Sequence, residues 1–91
     1  MARYLIESPH TVGECLRALD EILGRDPGLL AKYDFACMSG EHTGYLIVEA
    51  GSESEARENV PSFLRGNARV IKLDKFTPEQ IKSFHQMKAT A

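Results

Sequence analysis

The chain has 91 residues, 43% of them hydrophobic and 26% charged, with a formal net charge of -2. That length supplies one core and predicts a single domain over 1–91. Lys and Arg are scattered rather than gathered into a stripe, which argues against nucleic acid as a partner.

The N-terminal MARYLIES has only a short apolar stretch, far below a signal-peptide core or a membrane span, so the expectation is a cytoplasmic protein with no membrane partner. In that reducing setting Cys15 and Cys37, without a CxxC spacing, do not suggest a disulfide framework.

In chain order, RYLIE (3–7) predicts a first strand. TVGE from Thr11 has the Ser/Thr-x-x-Glu spacing of a capping box. Val12, Cys15, Leu16, Leu19, Ile22 and Leu23 then recur at helical steps up to Gly24, and this stripe places Cys15 in the core. Asp26-Pro27 predicts a further short turn through Leu30. YDFACM (33–38) and TGYLIVEA (43–50) predict two strands joined by a hairpin at Ser39-Gly40.

SESE at 52 predicts a second helix, broken near residue 60 by Pro61, which lacks an N–H and collides with the preceding turn. ARVIKL (68–73) predicts the last strand. TPEQ at 77, with Pro78 at the first helical position, predicts a terminal helix carrying Ile81, Phe84 and His85.

The order βαββαβ plus a C-terminal helix defines an α+β chain. It resembles the ferredoxin-like fold, an antiparallel sheet with helices on one face. Among users of that fold, the dimeric α+β barrel superfamily is the most similar in length. The chain also resembles small uncharacterised bacterial proteins of this type, some of which bind nickel.

Strand alternation puts Tyr4 and Ile6 on one face and Arg3, Leu5 and Glu7 on the other, with Leu46, Val48 and Ala50 opposing Tyr45, Ile47 and Glu49. Apolar side chains on the outer face predict a homodimer or higher homo-oligomer, packed sheet against sheet.

Two candidate sites follow. If strands one and three run parallel at the centre, Glu7 and Glu49 emerge at one end with His10 beside them. With Tyr45, these residues form a candidate ligand pocket. Read catalytically, it is the acid-base pair of a small-molecule isomerase or cofactor-free oxygenase; read conservatively, it is a set of solvated strand ends. A chain without chemistry would be a plain assembly module.

The second candidate lies in CMSGEHTG (37–44), where a thiol, a carboxylate and an imidazole fall within six positions. If strand four ends near this hairpin, His42 and His85 can bind a divalent transition metal, nickel, zinc or copper. Cys37 or Glu41 would be a further ligand, and His10 of a second copy would complete the set. Against this, Cys37 shares strand parity with Phe35 and would be core, leaving an ordinary polar hairpin tip.

Overall fold

The computed structural model describes residues 1–90, with side chains described through Met87. Four strands form one antiparallel sheet in the order β2-β3-β1-β4: β1 is Ala2–Pro9, β2 Asp34–Phe35, β3 Thr43–Ala50 and β4 Arg69–Leu73. The helices are α1 (Cys15–Arg25), α2 (Pro27–Lys32), α3 (Glu53–Arg57) and α4 (Pro78–Thr90). The chain is therefore α+β, and β1 and β3 occupy the centre of the sheet.

Local chemistry starts the helices where the capping residues stand. The Thr11 hydroxyl accepts from the Glu14 N–H and the Glu14 carboxylate accepts from the Thr11 N–H, opening a 3₁₀ turn at Val12–Glu14 that runs into α1. The Asp26 carboxylate accepts from the Gly28 N–H ahead of Pro27 at the start of α2, and Ser52 caps α3 in the same way.

Helix α3 stops at Arg57, four residues before the buried Pro61, and a 3₁₀ segment at Ser62–Asn67 carries the chain into β4. This irregular stretch leaves carbonyls without intrahelical partners. The Arg57 guanidinium donates to the carbonyls of Arg65 (3.0 Å) and Ala68 (2.6 Å), and Arg65 Nε to that of Val60 (2.9 Å).

One face of the sheet carries the core. Tyr4 and Ile6 of β1 and Leu46 and Ala50 of β3 pack with Ala18 and Ile22 of α1, Ala56 of α3, Val60 and Leu64. The face of α1 that is buried centres on Ala18 and Ile22, whereas Val12, Leu16 and Leu23 of the apolar stripe are exposed. Arg3, Leu5 and Glu7 pair with Glu49, Ile47 and Tyr45 on the opposite face, as strand alternation requires.

Three expectations about direction are corrected by the register. Strands β1 and β3 are antiparallel, so Glu7 lies opposite Tyr45 at one end of the sheet while Glu49 lies opposite Arg3 at the other. Glu7 and Glu49 therefore share no pocket mouth. Strand β4 is antiparallel to β1 as well: it enters at Arg69 beside Glu7 and leaves at Leu73 beside Arg3. Helix α4, and His85 with it, departs from the end opposite the 37–44 turn.

The second strand is also shorter than YDFACM implies. After Phe35 the chain curls into a 3₁₀ turn at Cys37–Ser39, with the Ala36 carbonyl accepting from the N–H groups of Ser39 (2.9 Å) and Glu41 (3.1 Å). Gly40, at φ 92°, occupies the left-handed region that a side chain disfavours. Cys37 thus stands on a turn, and strand parity with Phe35 no longer governs where its thiol goes.

Gly44 sets how closely β2 can approach β3. A Cβ there would lie 2.9 Å from Cε1 of Phe35, whose ring stacks on Tyr33 with centroids 5.3 Å apart. Since that ring has little room to retreat, Gly44→Ala is expected to cost about 1–3 kcal/mol, as overpacking does. Chemical denaturation would check this; an unchanged midpoint would mean that the Phe35 ring moves freely.

Candidate metal centre

Four elements converge at the end of the sheet where β1 finishes and β3 begins. His10 follows β1, Cys15 opens α1, Cys37 sits on the turn after β2, and His42 immediately precedes β3. The central ladder continues into this end, with the His10 N–H donating to the His42 carbonyl at 3.0 Å. One ligand atom from each of His10, Cys15, Cys37 and His42 lies within 4.8 Å of every other. All four side chains are half-buried, and both cysteines are free thiols.

The internal geometry is that of a compact donor set. Cys37 Sγ is 3.2 Å from Nε2 of His10, and the two imidazoles meet edge to face with centroids 5.8 Å apart. Burial, and then the neighbouring Cys15 thiol, push the Cys37 thiol up from its ordinary pKa, so without a cation Cys37 favours its protonated form.

Among the described residues, the two buried side-chain polar atoms without a hydrogen-bond partner are Ser8 Oγ and His42 Nδ1. Both lie at this end of the sheet, where Ser8 pairs with Gly44. A buried imidazole nitrogen without a partner forfeits its solvation for nothing in return, unless a ligand takes its lone pair.

The set also fits the bond lengths of a tetrahedral ion. With metal–sulfur bonds of about 2.3 Å and metal–nitrogen bonds of about 2.0–2.1 Å, the edges of such a tetrahedron measure about 3.3–3.8 Å. Separations at the 4.8 Å limit would need to contract by about 1.0–1.5 Å to reach those edges, while Cys37 Sγ and His10 Nε2, at 3.2 Å, are already that close. This His/Cys/Cys/His group can hold a metal ion.

The expected site residues are only partly brought together. His42 and Cys37 are in the group, and His10 joins them from the same chain rather than from a second copy. Glu41 is absent from it: its carboxylate accepts instead from the Tyr45 hydroxyl at 3.0 Å, which pushes the Tyr45 phenol up. The Thr43 N–H donates to the Glu41 carbonyl at 2.8 Å, a tight turn about His42 just before β3. His85, exposed on α4, is outside the group too.

Of the proposed ligand pocket, Glu7 and Tyr45 remain neighbours, lining a cavity of about 190 Å³ with Glu41 and Arg69. The Arg69 guanidinium donates to the Glu7 carboxylate at 3.4 Å. Glu49 belongs to the far end of the sheet.

Cys15 is the member of the group that sequence reasoning placed in the core. Its helical spacing fits an apolar stripe, and nothing local distinguishes it from Ala18 or Ile22. The available signal was its position just after a capped turn, since the first residue of a helix lies at the end of the core rather than within it.

Compared with protein-family models, curated proteins and solved structures, the chain finds no match in any of the three. Among the described residues, no helix is long and apolar enough to cross a membrane.

Proposed function

We propose that this chain is a small ferredoxin-like protein that holds one divalent transition ion, zinc before nickel or copper, between His10, Cys15, Cys37 and His42. The ferredoxin-like reading draws support from the antiparallel order with β1 and β3 at the centre and from helices packed on one face. The metal reading is carried by one observation, the mutual approach of four soft or borderline donors to within 4.8 Å.

Two thiolates and two imidazoles in a tetrahedral arrangement suit zinc. Four protein ligands also close the coordination shell, and a closed shell is the mark of a structural or sequestering site. Catalytic zinc keeps a position open for water or substrate. The ion would then tie together the end of β1, the start of α1 and the turn between β2 and β3.

Calorimetric titration of tag-free, metal-stripped protein with zinc, nickel and copper tests the reading. One zinc per chain is expected, bound more tightly than nickel. Cobalt in the same site should give intense visible bands of a tetrahedral ion together with thiolate charge transfer. Weak bands typical of six-coordinate cobalt, or the absence of any binding, would overturn the proposal.

The pH dependence has a definite sign. The Cys37 thiol, pushed up from its ordinary value, holds its proton at neutral pH and must lose it to ligate. Binding therefore releases at least one proton, and zinc affinity should fall by about tenfold or more per unit as pH drops below 7. Affinity measured at pH 6, 7 and 8 checks it; a flat profile would exclude thiolate ligation.

A further inference from the structure

The outer sheet face and helix α4 pose a second problem, independent of the metal. Leu5 of β1 stands opposite Ile47 on one side and Ile71 on the other, so the three form an apolar row across the middle of the face. Ile47 is 53% exposed. Rows of mixed charge flank it: Arg3 opposite Glu49 on one side, Glu7 beside Arg69 on the other. This is an apolar centre with a polar rim, the anatomy of a protein interface.

Helix α4 has the complementary deficiency. Among the described residues it shares no extensive packing with another element, and Ile81 and Phe84, one turn apart on it, are each about half exposed. Its direction is set locally. The Thr77 hydroxyl accepts from the Gln80 N–H, the Gln80 side chain accepts from the Thr77 N–H, and the Phe76 ring meets Phe84 edge-on with centroids 5.7 Å apart. A reciprocal cap with an aromatic clasp holds the corner after β4 in this orientation, which carries the helix away from its own sheet.

The surface area is in keeping with one partner covering both. The chain exposes 6335 Å², whereas a compact monomer of 10.1 kDa exposes about 5,300 Å². The excess, on the order of 1,000 Å², is close to the roughly 800 Å² that each partner buries in a stable interface. The radius of gyration, 16.9 Å, likewise exceeds the roughly 12 Å of a compact chain of this length.

We infer that two copies of this chain exchange α4, the helix of each lying on the Leu5–Ile47–Ile71 row of the other. Sheet-on-sheet pairing, the expectation from alternation alone, would bury the row and leave Ile81 and Phe84 in water. Helix-on-sheet exchange buries both apolar surfaces in one two-fold interface, each copy giving and receiving the same element. At 13 residues, α4 is about 20 Å long, enough to span a four-stranded sheet whose strands lie about 4.8 Å apart.

Sedimentation of the full chain should give a dimer of twice 10.1 kDa at micromolar concentration. Ile47→Glu and Phe84→Glu, both at exposed positions of the free chain, should each weaken it by about thirtyfold or more while leaving the circular dichroism unchanged. To locate α4, Phe84 is replaced by the photo-cross-linker p-benzoylphenylalanine in an equal mixture of ¹⁴N- and ¹⁵N-labelled chains. Mixed-isotope cross-links from position 84 to residues 3–7, 45–49 or 69–73 are the expected result. Three outcomes would overturn the exchange: a wild-type monomer, same-isotope cross-links alone, which place α4 on its own sheet, or a dimer whose cross-links miss the outer face.

Discussion

Cys15→Ser is expected to reduce zinc affinity by on the order of a hundredfold or more. Removing a mere hydrogen-bond partner of a ligand typically costs 10–100-fold, so loss of a direct thiolate ligand should cost at least that much. The variant is a sharp test because Cys15 is the member of the set that spacing in the chain does not reveal. Serine keeps the size of the side chain at a half-buried position, so the fold should persist.

His85→Ala, made in parallel, should leave affinity unchanged, since His85 lies on the helix that departs from the opposite end of the sheet. Calorimetry on the two variants decides. Equal affinity of wild type and Cys15→Ser would remove α1 from the site, and loss of affinity in His85→Ala would return the site to the 37–44 turn and the terminal helix.

Zinc should also raise the thermal midpoint steeply. The four ligands come from segments up to 32 positions apart, between His10 and His42, and an unfolded chain cannot assemble them. With free zinc at a thousand times its dissociation constant, binding to the folded state alone adds about 4 kcal/mol. For a domain of this size that corresponds to a rise of roughly 15–30 °C. Scanning calorimetry with zinc and with chelator measures the difference directly. A midpoint indifferent to zinc would mean that the ion, if bound, sits on a surface that unfolding does not disrupt. At the same zinc concentration the increment should shrink to about 1.4 kcal/mol or less in Cys15→Ser, whose zinc-free midpoint stays near that of the metal-stripped wild type.

Much of the local structure is legible in the sequence. Thr11, Asp26, Ser52 and Thr77 mark helix starts because a side-chain oxygen that satisfies an orphan N–H acts within three residues and needs no tertiary partner. Strand β3 occupies the 43–50 segment expected of it, and alternation assigns its two faces correctly, because side-chain parity is a property of the extended backbone. Pro61 ends α3 as its missing N–H requires. His42 and Cys37 stand out by residue type alone.

Which residues meet was decided by the tertiary structure. Periodicity tells which face of a strand is apolar, but it carries no information about which way the neighbouring strand runs. Strand direction alone separates Glu7 from Glu49 and sends His85 away from His42. Cys37 left the core because backbone hydrogen bonds to Ala36 curl the chain after two strand residues, an event that strand propensity does not anticipate. Cys15 reached the metal group because the 3₁₀ turn before α1 brings the first residue of that helix to the end of the sheet where three other segments terminate. Residue type determines what a side chain can ligate; the directions of the strands and the crossovers between them determine what it ligates with.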